Sequence, residues 1–331
     1  MNKFIFTCGD INGIGPEICI KTINRFCTEK NSQFIFIAPS NVIKKLKHEI
    51  GFNFNPVWIR NHKLLPDIKG NVVFIPLPIT KIKIGSPTSE SGKASYLALT
   101  IAKEILINKN ADALVTAPIS KSAFEMGGIN FPGHTELLAE WANTKSFSMM
   151  FLSNIFKCNL ATIHEPIKNV SKLITKKKLE TLFDIVGHSL INDFGLSDPR
   201  IAVLGLNPHA GESGKIGKEE LNIILPAIKE NRKWKVEGPF VPDAFFGKKM
   251  YKNYDSVIGM YHDQVLIPFK MICFDKGVNY TAGLPFIRTS PDHGTAYDIS
   301  WQNKANESSM DEAYKWAKKI LKLRMADTTK K

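Results

Sequence analysis

Short apolar runs alternate with amphipathic stretches along most of this chain, and that alternation restricts its fold more than any other feature. Runs at 3–8, 33–37, 72–75, 113–117, 147–152, 159–163, 200–204 and 256–260 have strand length and are apolar almost throughout, as strands covered on both faces are. Between them lie helix patterns. Ser40 stands where it would cap a helix that stops at Gly51, and Leu179, Leu182, Phe183, Val186, Leu190 and Phe194 form one stripe before Gly195. Met310, Ala313, Tyr314, Ala317, Ile320 and Leu321 mark a last helix with Lys and Arg near its end. The order predicts an α/β protein with a largely parallel sheet. At 331 residues the chain is long enough for two domains. It shows no repeat and no low-complexity linker, so a boundary is expected in an ordinary loop.

Other classes are set aside by what is missing. No apolar run approaches the ~20 residues that span a bilayer, and the amino terminus lacks the pattern of a targeting segment, which predicts a cytoplasmic protein without a membrane partner. Cys8, Cys19, Cys27, Cys158 and Cys273 are odd in number and contain no C-x-x-C pair. They are expected to be reduced thiols rather than disulfides or a thiolate zinc site. The net charge of +13 comes from Lys residues scattered over helix surfaces, such as Lys44, Lys45 and Lys47. Without an aromatic-interleaved basic motif it fits solvated faces or an anionic small substrate better than nucleic acid.

Ligands of open α/β sheets bind beyond the carboxyl ends of strands. Three predicted strands lead into histidines there: His164, His209 and His262, separated by 45 and 53 residues. Such imidazoles either converge on one divalent ion with positions left open or are unrelated loop residues. The loop Gly9-Asp10-Ile11-Asn12-Gly13-Ile14-Gly15-Pro16-Glu17 enters a helix with Pro16 at its start. Its glycines do not make G-x-G-x-x-G, so a Rossmann nucleotide site gains no support and a plain turn explains them equally. In Phe131-Pro132-Gly133-His134-Thr135-Glu136, Thr135 and the amides after it suit a helix amino terminus, as an anion site or as a simple cap. Lys270, Asn279 and Arg288 stand among the turn formers Gly277, Gly283 and Pro285. Cationic and amide donors on ordered loops fit a phosphate or carboxylate, although each alone is an ordinary surface residue.

Together these segments closely resemble one family, the 4-hydroxythreonine-4-phosphate dehydrogenases of pyridoxal phosphate biosynthesis. The resemblance runs through GDINGIGPEI (9–18), TAPISK (116–121), FPGHTE (131–136), TIHEP (162–166), GLNPHAGE (205–212), GPFVPDAFF (238–246), MYHDQ (260–264) and GVNYTAGLPFIRTSPDHGTAYDI (277–299). The first and last also look like G-D-G-I-G-P-E and H-G-S-A-P-D-I of the isocitrate and isopropylmalate dehydrogenases. The implied fold is therefore two α/β domains of that superfamily, not Rossmann, with the active site in the cleft between them. The implied boundaries are 1–125 with 277–331 for the cofactor-loop domain, and 126–276 for the domain with the histidines and the dimer interface.

The resemblance further implies that His164, His209 and His262 bind zinc, magnesium or cobalt, and that His134, Thr135, Lys270, Asn279 and Arg288 bind substrate. Gly13, Gly15, His293, Gly294, Thr295, Ala296 and Asp298 would face NAD or NADP. Lys270 would anchor substrate or move a proton, and Asp263 would orient His262 or cap a helix. A homodimer is implied, with His164 from one chain and His209 and His262 from the other. The implied reaction oxidises the C3 hydroxyl of 4-phosphooxy-L-threonine, and the β-keto acid then loses carbon dioxide. The metal would stabilise negative charge in both steps. A relative acting on another phosphorylated hydroxy acid or a dihydrodiol would share these residues. A metal-dependent hydrolase or a sugar-phosphate binder is the more distant alternative. One departure stands out: after Asp298 the chain reads Ile-Ser-Trp-Gln-Asn-Lys, where the family usually has a small, glycine-containing segment, which bears on cofactor affinity and on the choice between NAD and NADP.

Overall fold

The structure, a computed structural model, describes residues 1–131, 133–273 and 276–328. The chain divides into two compact units: Met1–Asn143 with Leu284–Leu321, and Thr144–Gly283 with the C-terminal stretch from Lys322. Residues 126–143, grouped above with the histidine-bearing domain, belong to the first unit, and the second unit extends to Gly283. Two crossings fall outside regular elements as expected. The third lies inside the last helix.

In the first unit the elements are β1 (Asn2–Thr7), α1 (Gly15–Phe26), β2 (Ser32–Pro39), α2 (Ser40–Glu49), β3 (Val57–Trp58), β4 (Val72–Leu77), α3 (Ser89–Ile107), β5 (Ala113–Thr116), α4 (Lys121–Met126) and α5 (His134–Trp141). The second unit follows with β6 (Ser148–Leu152), β7 (Lys157–Leu160), α6 (Ile167–Leu173), α7 (Lys176–Asn192), β8 (Arg200–Leu204), α8 (Leu225–Glu230), β9 (Lys235–Phe240), α9 (Pro242–Gly247), β10 (Ser256–Gly259), α10 (His262–Cys273) and β11 (Val278–Ala282). The chain then returns to the first unit with β12 (Ile287–Pro291) and α11 (Ser308–Thr328), whose end from Lys322 belongs to the second unit. No helix among the described residues is long and apolar enough to cross a membrane.

The strands of the first unit run in the order β3-β4-β2-β1-β5-β12, and every neighbouring pair is parallel. Every residue of β2 is buried, so its apolar run faces cover on both sides. Tyr314 of α11 packs its ring 5.0 Å from Phe4 and 5.2 Å from Phe34. The second unit is mixed rather than parallel. Its order is β11-β6-β7-β10-β8-β9, with β11/β6 and β6/β7 antiparallel and the other pairs parallel. Phe151, Phe156, Leu204, Phe245, Val257 and Phe269 belong to its core.

Several local expectations change. β9, β11 and β12 are strands where the sequence suggested loops or nothing; in β11 and β12 buried polar residues interrupt the apolar pattern, and β9 is only partly buried. Arg288 and Thr289 are buried in β12, where the Thr289 hydroxyl donates to the Ala313 carbonyl at 2.9 Å. Ser40 is the first residue of α2 and caps nothing; the cap position is Pro39. The 159–163 run begins earlier and ends at Leu160. Beyond it the chain bends, and Thr162 binds the Met260 carbonyl through its own hydroxyl at 2.7 Å. All five cysteines are free and buried.

Candidate active site

In the second unit the topology collects the histidines. β10 lies between β7 and β8 and is parallel to both, so all three carboxyl ends open on one edge of the sheet. His164 follows β7, His262 opens α10, and His209 follows β8. The His164 and His262 ring centres are 5.7 Å apart. Two imidazoles on one tetrahedral ion, each about 2 Å away through one nitrogen, place their ring centres about 5 Å apart. The observed separation is close to that value. His262 Nδ1 lies 2.6 Å from Asp263 Oδ1, the partner that fixes a ligand's tautomer and leaves Nε2 for a metal. Asp263 is the second residue of α10, and its carboxylate is engaged by the imidazole.

His209 is not part of that pair, and among the described residues no group of three His, Cys, Asp or Glu side chains is gathered to hold an ion. It is exposed and borders a cavity of about 300 Å³ with Asn207, Asp243, Tyr261 and Gln264. His209, Ala210, Gly211, Glu212 and Ser213 all have positive φ, forming one left-handed turn. Four of the five carry a Cβ and would relax elsewhere unless held. Buried Glu220 holds the approach, accepting the backbone N–H of Leu206 at 2.8 Å and of Asn207 at 2.7 Å and the Asn207 amide at 2.9 Å.

Lys270 and Asn279 also lie in this unit, but on regular elements rather than loops: Lys270 near the end of α10, and Asn279 on β11 opposite Phe151.

The first unit carries the other predicted anion residues. Gly133, not Thr135, is the cap position of α5, so Thr135 is buried in its first turn; Pro132 lies outside the described residues. Arg288 is 2% exposed, and its guanidinium donates twice to the Thr116 hydroxyl, at 3.1 and 2.8 Å. Burial lowers its pKa to about 10, with the Glu136 carboxylate opposing that shift. His134 is also buried, and burial with the Arg288 charge holds its imidazole well below the usual range, so it is neutral. Its Nε2 is buried without a hydrogen-bond partner. A buried cation beside an unsatisfied imidazole nitrogen is a place for an anionic ligand with a hydroxyl or a phosphate oxygen to offer.

The glycine loop and the His293–Asp298 segment meet in this same unit. The Ile14 N–H donates to the Thr295 carbonyl at 2.9 Å, and a Cβ on Gly13 would stand 2.6 Å from that oxygen, so only glycine permits the approach. A Cβ on Gly15 would strike the Cys8 carbonyl. Buried Asp10 accepts from the Asn12 backbone at 2.9 Å, the Ser91 hydroxyl at 3.0 Å and the Tyr297 hydroxyl at 2.9 Å, and desolvation raises its pKa. Ala296 has φ 41° and His293 Nδ1 lies 3.1 Å from the Gly294 carbonyl oxygen, while Gly294 and Asp298 are exposed. The divergent segment has its own fastening: Trp301 Nε1 donates to the Ile11 carbonyl at 2.8 Å, and the Lys45 ammonium sits 5.0 Å over the Trp301 ring. Thr116, Glu220, Tyr297 and Gln264 were not singled out from sequence, although all but Glu220 lie inside quoted motifs.

Two α/β units with strand-end histidines and a buried cation define an α/β enzyme, and comparison with known proteins narrows the class to the dehydrogenases. A 4-hydroxythreonine-4-phosphate dehydrogenase from Sulfurihydrogenibium sp. (strain YO3AOP1) is 42% identical over 320 residues, 96% of this chain and 98% of its own. The crystal structure of an enzyme of that name from Klebsiella pneumoniae superposes with a TM-score of 0.84 at 32% identity, over 97% of this chain and all of that one. A terephthalate 1,2-cis-dihydrodiol dehydrogenase from Burkholderia xenovorans LB400 shares the fold, with a TM-score of 0.64 at 20% identity over 96% of this chain and 98% of its own. The family model described as pyridoxal phosphate biosynthetic protein PdxA matches residues 29–317. The chain belongs to the PdxA family.

Proposed function

We propose that the protein oxidises 4-phosphooxy-L-threonine with NAD or NADP to 2-amino-3-oxo-4-phosphooxybutanoate, which decarboxylates to 3-amino-2-oxopropyl phosphate on the route to pyridoxine 5'-phosphate. The observation that carries this reading is the buried Arg288 guanidinium beside the neutral His134, whose Nε2 has no partner, in a chain of this family. Arg288 recognises the substrate's anionic group, and His134 and Thr135 orient it, with Lys270 and Asn279 as the further substrate contacts. Gly13, Gly15 and the 293–298 segment receive the nicotinamide cofactor. The five buried free thiols suit a reducing compartment, the cytoplasm.

His164, His209 and His262 would hold a divalent cation, zinc, magnesium or cobalt, with Asp263 orienting His262. When bound, such an ion supplies Lewis-acid stabilisation of negative charge on the substrate oxygen. Lys270 anchors the anionic substrate and can exchange a proton with it.

Reduced-nicotinamide absorbance on adding 4-phosphooxy-L-threonine tests the reaction. Its absence, with turnover of another phosphorylated hydroxy acid or a dihydrodiol instead, would replace the substrate while keeping the class. Chelation should abolish turnover, and full activity in verified metal-free protein would remove the ion from the scheme.

The active form is a homodimer that divides the ligands, with His164 from one chain and His209 and His262 from the other. Co-expressed His164→Ala and His209→Ala chains should then form about half mixed dimers, each with one intact site, restoring about a quarter of wild-type activity. Mixed dimers as inactive as either parent would refute the sharing. The same experiment with His164→Ala and His262→Ala shows which chain His262 serves: rescue if it acts with His209, none if the 5.7 Å pair serves one ion.

A further inference from the structure

The loops bearing His262 and His209 are joined by one side chain. Gln264, in the first turn of α10, accepts the Met260 backbone N–H through Oε1 at 2.7 Å and donates from Nε2 to the Gly205 carbonyl at 2.7 Å. The other side of Met260 is also fixed: its carbonyl accepts from the Thr162 backbone at 3.2 Å and from the Thr162 hydroxyl at 2.7 Å. Met260 thus stands between the loop that leads to His164 and, through Gln264, the loop that leads to His209. Beyond Gly205 the chain is held by Glu220 before it enters the left-handed turn. Gly259 makes room for this arrangement, since a Cβ there would lie 2.5 Å from Val265 and 3.2 Å from Gln264 Oε1.

We infer that Gln264 is a positioning residue for the cation site, setting the distance between the His262 and His209 loops; the inference rests on the three-histidine reading above. The chemistry requires a carboxamide. The bridge needs one acceptor for an N–H and one donor for a carbonyl, which an amide supplies in one rigid plane. A carboxylate of the same shape keeps the acceptor, loses the donor and faces the Gly205 oxygen with like charge. A thioether supplies neither and has similar volume. Displacing a ligand's supporting partner commonly weakens metal binding by about 10–100-fold, although Gln264 acts on backbone rather than on an imidazole.

The test compares wild type, Gln264→Glu and Gln264→Met as full-length metal-free proteins titrated with cobalt(II) against a chromophoric chelator, with the cobalt absorption spectrum recorded at saturation. Circular dichroism and thermal melting report whether each variant is folded. The expected result is folded variants with cobalt affinity lowered by about tenfold or more and an altered ligand-field spectrum, a change that a merely structural role would not produce. His209→Ala should cost less affinity in the Gln264→Glu background than in wild type, because the two act through one ligand. Folded variants with wild-type affinity and spectrum would overturn the positioning role while leaving the histidine site standing. No cobalt bound by wild type would overturn both.

Discussion

Replacing Glu220 by Ala should open the loop that presents His209, with little effect on the rest of the molecule. Glu220 is 3% exposed, and its carboxylate accepts three hydrogen bonds of 2.7 to 2.9 Å from Leu206 and Asn207. Hydrogen bonds to a charged group contribute about 1.5–3 kcal/mol each. Water reaches the half-buried loop in the variant and replaces part of that, leaving a net loss of about 3 kcal/mol. Against it stands the left-handed turn of His209, Ala210, Glu212 and Ser213 around Gly211, whose four side-chain-bearing residues each cost on the order of 1–2 kcal/mol. With its anchor gone the turn relaxes rather than persisting. At 1.4 kcal/mol per factor of ten, the open population should rise about a hundredfold. Lys215 and Lys218 are exposed just after the turn, so limited trypsin digestion reads that population directly when cleavage is slow relative to reclosing. Cleavage near these lysines should accelerate about a hundredfold while core signals in near-ultraviolet circular dichroism hold. An unchanged cleavage rate would refute the idea that Glu220 holds the turn.

Arg288→Met keeps a long side chain but removes the buried charge, and should raise KM for the phosphorylated substrate by about a hundredfold while nicotinamide affinity, measured by titration, stays near wild type. Burial depresses the His134 pKa below its ordinary 6.5, so the native state binds fewer protons there than the unfolded chain. The resulting stability is complete above the unfolded pKa and is lost as pH falls through the folded one. Urea unfolding at about pH 8 and about pH 5 should therefore show a smaller loss on acidification in His134→Gln than in wild type. Gly13→Ala should push the 293–296 segment away, lowering stability by about 1–3 kcal/mol and weakening cofactor binding in fluorescence titration; wild-type values for both would contradict the close approach.

Much of the architecture was legible because physical necessity wrote it locally. β1, β2 and β5 are buried on both faces, so their runs are apolar and visible, and α7 shows its covered face as a stripe. That His164, His209 and His262 each follow a strand was visible too, since each stands just beyond an apolar run. β12 was not, because Arg288, Thr289 and Ser290 are buried polar residues, and a strand that satisfies its polar groups internally carries no apolar signal. β11 hid for the same reason: Tyr280 is buried with its hydroxyl on Asp193 at 2.6 Å, and Arg324 donates to the same carboxylate at 2.7 Å.

What the sequence determined by itself was the alternation of strands and helices, the glycine-bearing and histidine-bearing loops, and the resemblance those loops carry. The tertiary structure alone decided which strands are neighbours, and that decision makes the site. Residues far apart in sequence become partners only when β7, β10 and β8 lie side by side, because hydrogen bonds act over about 3 Å and sequence patterns report only burial. For the same reason Gln264 reads as an ordinary helix residue in the sequence, and only the adjacency of the Met260 and Gly205 backbones turns it into a bridge.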